Sequence, residues 1–267
     1  MKLIDIGANL THDSFDSDRD AVIEAARAAG VVQMVVTGAS AEGSAQALEL
    51  ARQHPGVLFA TAGVHPHRAA DYDDDTDKLL RELLQDKIVV AAGEAGLDYF
   101  RDFSPRPDQQ RAFEAQLQIG VDTGLPMFLH LRNAHEDFHA MLKSRRDELA
   151  DVVVHCFTGS REELHAYLDL DCHIGITGWI CDERRGKHMK DYLADIPAER
   201  LLIETDAPYL KPRNLRPRVK SHRNEPRFLP WILGTLAVSL GAHPEDLART
   251  TTANARRFFR LPDPPSD

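Results

Sequence analysis

Four short apolar runs of this sequence each lead into a residue that can bind a metal ion. The carboxyl ends of parallel strands meet on one face of a barrel, so residues far apart in sequence can converge there on one cation. Taken alone, Glu94 is equally well explained as a solvated acid, and each histidine is better explained as a hydrogen-bonded core residue. Together they predict metal-dependent hydrolysis, and they are Glu94 after IVVAAG, His130 after LPMFL, His155 after DVVV and Asp206 after LLIET.

Asp206 has a second chemical interpretation besides metal binding. A carboxylate beside a cation can take a proton from water, because the cation lowers the pKa of that water. Glu204 lies two residues earlier and shares the face of Asp206 if the strand continues that far. The alternative is that Asp206 only caps the loop that follows it.

Two further histidines, His65 and His67, follow the third apolar run in TAGVHPH. The proline between them stiffens the pair at the mouth of the predicted barrel. The two imidazoles can bind a second ion, hold a phosphate oxygen or act as an acid. Without the surrounding pattern they are better explained as solvent-exposed loop histidines.

The segment Lys211–Arg227, KPRNLRPRVKSHRNEPR, is strongly basic. It has seven Lys or Arg residues against one acid, which gives +6 within a chain of net charge -10. Because it closely follows Asp206, we expect it to form a phosphate-binding lip beside the metal site, with an ordinary basic loop as the alternative. The candidate substrate contacts are Arg213, Arg223 and Asn224 of this segment, with Arg132 beside His130.

Eight apolar runs alternate with helical stretches along the chain, which predicts an α/β fold, a (β/α)₈ TIM barrel. A doubly wound open sheet is the second possibility, but the chain has no glycine-rich phosphate loop. We expect one domain over residues 1–267, a capping box at Ser160 and Glu163, and a last helix near Pro226–Leu240. The predicted strands are Leu3–Ile6, Val32–Thr37, Val57–Gly63, Ile88–Gly93, Pro126–Leu131, Val152–His155, His173–Thr177 and Leu201–Thr205.

The composition suits a globular enzyme with a large core. The 267 residues are 43% hydrophobic, and the net charge of -10 gives no overall attraction to nucleic acid or to anionic membranes. The three cysteines have no CxxC spacing, which favours free thiols in a reducing compartment. The amino terminus does not resemble a signal peptide, and no run approaches the ~20 apolar residues of a membrane span. We expect a cytoplasmic monomer with no membrane partner.

Nearly the whole chain, from about Leu3 to Phe259, resembles the TatD-type metal-dependent deoxyribonucleases, which are amidohydrolase-like TIM barrels. The resemblance is carried by DIGANL, TAGVHPH, GEAGLDY, HLRNAHE, HCFTGSREE, GITGWICDERRG, IETDAPYL and RNEP. It implies cleavage of phosphodiester bonds in DNA by a 3′-to-5′ exonuclease that prefers single strands, with some action on RNA and a role in DNA repair or turnover.

The resemblance also implies roles for individual residues. Glu94, His130 and His155 are implied to be metal ligands, and Asp206 both a ligand and the base. His65 is implied to contact the substrate phosphate, so the catalytic set is Glu94, His65 and Asp206. Family practice favours Mg²⁺, whereas imidazole ligands suit Mn²⁺ or Zn²⁺ better.

One departure from the wider family lies in the first strand. Most of its members begin with D-x-H-x-H, where both histidines bind metal, but Gly7 and Asn9 stand at those positions here. Glycine has no side chain to offer, and asparagine is a weak ligand suited to hard ions. We therefore expect one firmly held ion and a second position that is weak or filled only with substrate.

Two rival functions remain at this point. A small-molecule hydrolase of an amide, lactone or phosphoester would keep the metal site but would not need the basic segment. A metal-binding scaffold without activity would explain the missing histidines of the first strand. The presence of the other four candidate ligands, Glu94, His130, His155 and Asp206, argues against the scaffold.

Overall fold

The computed structural model describes residues 1–217 and 219–264. Eight parallel strands form one sheet in which each strand pairs with the next along the chain. This arrangement confirms the predicted (β/α)₈ barrel. The strands are β1 (Leu3–Ala8), β2 (Val31–Val36), β3 (Leu58–Ala62), β4 (Val89–Asp98), β5 (Met127–Arg132), β6 (Val152–Val154), β7 (His173–Ile176) and β8 (Leu201–Ile203).

Helices surround the sheet and carry the predicted termination signals. Ser160 and Glu163 form the expected capping box, and Gly124 ends its helix in the left-handed conformation with φ 62°. The α-helices are α1 (Arg19–Ala28), α2 (Ala41–Gln53), α3 (Asp74–Leu83), α4 (Arg106–Thr123), α5 (His135–Arg145), α6 (Arg161–Leu168), α7 (Leu229–Leu240) and α8 (Pro244–Phe259).

Two expectations about the helices were wrong. The helix that we predicted to be the last begins as a 3₁₀ turn at Pro226–Phe228 and continues as α7, and α8 then follows it. The many Arg and Thr residues of α8 obscure its apolar face in the sequence, although Phe258 and Phe259 are buried. The connection from β7 to β8, residues 177–200, contains 3₁₀ helices in place of an α-helix.

The amino-terminal end of the barrel is sealed by apolar side chains. Phe258 and Phe259 of α8 belong to one buried cluster with Ile4, Val90 and Leu202 from the strands inside the barrel. Burial of this apolar surface stabilises the lower half of the barrel. The polar and charged residues therefore collect at the opposite end, where the strands finish.

Hydrogen bonds between β1 and the segment after β8 close the barrel. The carboxylate of Asp5 is fully buried and accepts hydrogen bonds from the Thr205 N–H at 2.9 Å and from the Thr205 hydroxyl at 2.5 Å. Ala8 and Ala207 form a parallel bridge just beyond this contact. Burial raises the pKa of Asp5 to about 7, so this closure places an ionisable group in the interior.

The structure also addresses the cysteines and the membrane. Cys156, Cys172 and Cys181 are all unpaired. Among the helices of the described ranges, none is both long enough and apolar enough to cross a bilayer.

Candidate active site

A cavity of about 510 Å³ opens at the carboxyl ends of the strands. This is the face on which (β/α)₈ barrels carry their active sites. Seven of the ten residues that the sequence singled out line the cavity. They are His65, His67, Glu94, His130, Arg132, His155 and Asp206.

Glu94 reaches the cavity from inside a strand and not from its end. We predicted that the fourth strand stops at Gly93, but β4 continues to Asp98. Gly93 pairs with Phe128 and Ala95 with Leu129, so Glu94 is an extra residue at a bulge. Bulges redirect side chains beside active sites. The predicted strand followed a continuous apolar run, and that run ends before the charged Glu94, which is why the predicted boundary was wrong.

Three imidazoles converge on one oxygen of Glu94. Oε1 lies 2.8 Å from His155 Nε2, 3.0 Å from His130 Nδ1 and 3.3 Å from His65 Nε2. One ligand atom each from His65, Glu94 and His130 lies within 4.8 Å of the others, a spacing that can hold a metal ion. Binding of a second ion was one of the roles that the sequence left open for His65, and the structure places it with Glu94 and His130 among the candidate ligands of the first ion.

The electrostatics of this cluster suit a dication. Burial alone would raise the pKa of Glu94, but the surrounding imidazoles outweigh it and hold that pKa well below its usual range. Burial opposes the charging of His130 and His155, yet the neighbouring carboxylates raise the pKa of both. The raised pKa values favour the protonated form of both imidazoles, and metal ligation would displace those protons. The donor set of imidazole and carboxylate therefore fits a divalent metal.

His65 differs from the other two histidines in its protonation. Burial lowers its pKa to about 4, and the nearby positive His130 acts in the same direction. Its imidazole is therefore neutral at pH 7. Nδ1 accepts a hydrogen bond from the His67 N–H at 3.1 Å, so the proton of the neutral ring is on Nε2, which faces Glu94. A neutral imidazole is the form that binds metal.

Asp98 is a buried carboxylate that the sequence analysis missed. Its Oδ2 lies 2.8 Å from His67 Nε2 and 3.5 Å from His130 Nε2. Burial would raise the pKa of Asp98, but these histidines and the backbone N–H of Arg101 hold it far below its usual range. Asp98 follows Glu94 and Gly96 at two-residue intervals in GEAGLDY, and this spacing was the available signal. The carboxylate fixes the orientation of the His67 ring, whereas His130 Nε2 lies near it without forming a hydrogen bond.

Glu204 is the second acid that sequence reasoning left without a role. It is fully buried, lies 3.3 Å from His155 Nδ1 and accepts a hydrogen bond from the Cys156 N–H at 2.6 Å. A carboxylate at Nδ1 orients the ring so that Nε2 faces Glu94. The carboxylate also fills the space beside Gly7, where an added Cβ would lie 2.5 Å from Glu204 Oε2. The glycine in the first strand is therefore matched to this glutamate.

Asp206 lies beside the cluster in an unusual backbone conformation. Its φ of 54° turns it away from the line of β8, which ends at Ile203. The Asn9 side-chain amide donates to Asp206 Oδ1 at 3.0 Å. Burial raises the pKa of Asp206 to about 7, and the charges of Glu94 and Glu204 act in the same direction. A carboxyl group with this pKa can exchange protons near neutral pH.

The basic segment behaves differently from the predicted phosphate-binding lip. Arg213 lies 3.3 Å from Glu183, and Arg223 lies 2.7 Å from Asp18 and 3.1 Å from Glu225.

Asn224 is fully buried and donates to the Thr205 carbonyl at 2.8 Å. Arg213, Arg223 and Asn224 are not among the residues that line the cavity, and Arg218 lies outside the described residues. Their charges and amide therefore hold the loop in place, and their role as substrate contacts stays a prediction.

Other arginines supply the positive charge at the cavity. Arg68, Arg101 and Arg185 line it together with Arg132. Arg132 is the last residue of β5, and the other three lie in three different segments that follow strands, so the charge does not come from one stretch of the sequence. Proximity in the folded chain concentrates this charge, and the sequence analysis identified Arg132 alone.

Comparisons with known proteins agree with this geometry. The family model described as "TatD related DNase" matches residues 4–260. The chain is 51% identical to a protein of Pantoea ananatis named "3'-5' ssDNA/RNA exonuclease TatD", over 97% of this chain and 100% of that protein. It is 49% identical to a protein of the same name from Salmonella typhimurium, over 97% and 99% of the two chains. A crystal structure of a TatD homologue from Escherichia coli K12 superimposes with a TM-score of 0.88 at 29% identity, covering 97% and 98%.

Proposed function

This chain belongs to the TatD-related DNase family, and from that premise we propose that it is a 3′-to-5′ exonuclease acting on single-stranded DNA and RNA. The relatives that carry this activity in their names match it at about half of all positions along nearly their whole length. The observation that carries the proposal is the convergence of three imidazoles on Glu94 Oε1 inside a cavity lined by arginines.

We propose that Glu94, His130 and His155 hold the metal ion, with His65 and Asp206 completing its surroundings. A divalent ion bound there supplies Lewis-acid polarisation of a phosphate and lowers the pKa of a water molecule. Glu204 orients His155 so that its ligating nitrogen faces Glu94, and the negative charge of Asp98 lies beside His130.

The remaining residues handle the proton and the phosphate charge. Asp206 has its pKa near 7 and therefore accepts the proton that the attacking water loses. His67 is held by Asp98 at the cavity mouth, where it contacts a substrate oxygen. The guanidinium of Arg132 pairs with a phosphate through two donors, which stabilises the charge of the transition state.

The ion that we propose is Mg²⁺, as family resemblance implies. The number of imidazoles in the cluster also suits Mn²⁺ and Zn²⁺, because Mg²⁺ prefers oxygen ligands. Activity measured with each metal in turn after chelation tests this assignment. A cation at Gly7 and Asn9 is disfavoured because Glu204 occupies the space beside Gly7.

The experiment that tests the function uses DNA strands labelled at the 5′ end. Purified protein is incubated with the strand and with Mg²⁺, Mn²⁺, Zn²⁺ or a chelator. We expect stepwise shortening from the 3′ end that the chelator stops. A strand labelled at the 3′ end should lose its label at the first step, and internal cuts or an intact strand would reject the proposal.

A small-molecule hydrolase remains the alternative that this assay separates. The predicted discriminator was the basic segment, but Arg213 and Arg223 already have carboxylate partners. The arginines that line the cavity are the better discriminator, because a small neutral substrate would not need several positive charges around it. We further propose that the protein is a cytoplasmic monomer. The three free cysteines support a reducing compartment, and light scattering measures the mass in solution.

A further inference from the structure

Three exposed aromatic rings lie around the mouth of the cavity. Phe100 is 52% exposed, Phe103 68% and Tyr209 51%, although large apolar side chains are usually buried. Tyr209 lines the cavity, and the ring of Phe103 packs 4.8 Å from the ring of His67. An exposed apolar surface beside an active site marks a place where a ligand binds.

Arginine and aromatic side chains alternate along one side of this mouth. The guanidinium of Arg132 lies 4.5 Å from the ring centre of Phe100 and 5.5 Å from that of Trp179. Arg101 lies 5.5 Å from Phe100 at one end, and Arg185 lies 4.4 Å from Trp179 at the other. We call these five residues the rim ladder.

Two arginines of the rim ladder keep their charge available. Arg101 and Arg132 lie over the ring of Phe100, and neither forms a salt bridge with any residue in 1–217 or 219–264. Arg185, by contrast, is paired with Asp182 at 2.8 Å. The rim therefore presents stacking surface and unpaired positive charge side by side, which matches the alternation of bases and phosphates in a polynucleotide.

The rim ladder is fixed to the metal cluster through Asp98. The Oδ1 atom of Asp98 accepts the N–H groups of Phe100 at 3.0 Å and Arg101 at 2.8 Å, while Oδ2 contacts His67. The backbone N–H of Asp98 in turn donates to Gln109 of α4 at 2.9 Å. A loop held in this way does not have to be ordered when the substrate binds, which favours affinity.

We propose that the rim ladder, with Phe103, binds the unpaired bases of a single-stranded polynucleotide and so selects single strands. This inference rests on the proposed nuclease function. Bases of a duplex already stack on each other and cannot open onto these rings, whereas every unpaired base has a free face. Because the rings contact bases and not the 2′-hydroxyl, the rim ladder serves DNA and RNA alike.

The test compares a strand long enough to reach the rim with one that is too short. KM is measured for a 12-nucleotide DNA strand, for the RNA strand of the same sequence and for a dinucleotide that occupies the metal site. The variants are Phe100→Leu and Phe103→Leu, which remove the ring but keep an apolar side chain. Val238→Ala is the matched control, because it changes an exposed apolar residue of α7 that does not line the cavity.

We expect each ring variant to raise KM for the long strands about tenfold more than KM for the dinucleotide, since one base–ring stack is worth roughly 5- to 100-fold. The effect should be equal on DNA and RNA, and the control should match the wild type. Equal changes on long and short substrates, or none, would overturn the rim ladder while leaving the nuclease function intact. A wild-type protein that cleaves none of the three substrates would instead reject the function itself.

A second measurement examines the charge of the rim ladder. Binding of the long strand is measured with a chelator present, so that the strand is not cleaved. Arg101→Gln should weaken this binding and reduce the slope of log K against log salt concentration by about 0.7, the value for one phosphate contact on a single strand. Arg27→Gln is the control, because it changes an exposed arginine of α1. An unchanged slope in Arg101→Gln would show that this arginine does not contact the strand.

Discussion

Glu94 is the residue around which the site is organised. Its Oε1 atom contacts three imidazoles, one from β5 and one each from the segments after β3 and β6. Two other buried acids contact histidines of this cluster. The carboxylate of Asp98 orients His67 and lies near His130, and that of Glu204 orients His155. The site therefore contains a carboxylate that can bind a metal ion and two that contact the histidines around it.

The first prediction concerns Glu94→Gln, which preserves shape but removes the charge. We expect kcat/KM on the labelled strand to fall by more than about 100-fold, because changes behind the ligands already cost about 10- to 100-fold. Titration calorimetry with Mn²⁺ should show the loss of metal binding, and circular dichroism should show an intact fold. His165→Ala, an exposed histidine of α6, is the control. Full activity in Glu94→Gln would contradict the assigned site.

The elements of this barrel are fitted to each other where their ends meet. A bulge in β4 turns Glu94 into the cavity, and a glycine in β1 leaves room for the side chain that follows β8. Gly7 and Glu204 are 197 positions apart, yet an added Cβ at Gly7 would meet Glu204 at 2.5 Å and Phe128 at 2.9 Å. The missing histidine of the first strand is thus a steric consequence of the acid that holds His155.

The second prediction restores that histidine. Gly7→His should lower the free energy of unfolding by about 1–3 kcal/mol through overpacking, and it should not create a second metal site. Urea denaturation and a metal-binding stoichiometry measure the two effects. Gly234→Ala in α7 is the control, because no atom lies within 4 Å of the added methyl group. There we expect a gain of about 0.5–1 kcal/mol. A stable Gly7→His protein that binds two ions would disprove the steric explanation.

The two ends of the barrel have different roles: one is an apolar core and the other is the charged cavity. Apolar rings of α8 close one end, and the charged cavity occupies the other. The sheet itself is closed by the bonds from Thr205 to Asp5, which join the first strand to the segment after the last. Because this closure lies directly beneath Glu204 and Asp206, it fixes the position of both acids relative to β1.

The third prediction tests this closure through Thr205→Val. The change removes the hydroxyl that donates to the buried Asp5 and leaves that carboxylate with one partner fewer. We expect the free energy of unfolding to fall by about 1–3 kcal/mol, the cost of an unsatisfied buried group. Urea denaturation measures it, with the partly exposed Thr252→Val as the control. If the two variants were equally stable, the bond would have no part in closing the barrel.

The sequence by itself determined the fold and identified seven of the residues that line the cavity. Apolar runs buried on both faces predict parallel strands, and a parallel barrel must bring its carboxyl ends to one face. That reasoning brought Glu94, His130, His155 and Asp206 together without coordinates, because it depends only on the order of residues along the chain. The resemblance to a known family then supplied the substrate.

Only the tertiary structure decided which charges are free to act. A run of basic residues in the sequence predicts a phosphate-binding lip, but Arg213 and Arg223 find acidic partners on other segments. The positive charge of the cavity comes instead from arginines on several separate segments, and the contacts of Asp98 and Glu204 with the histidines are visible only in the folded chain. Charge pairing depends on distances of a few ångströms between residues remote in sequence, and composition and spacing carry no information on those distances.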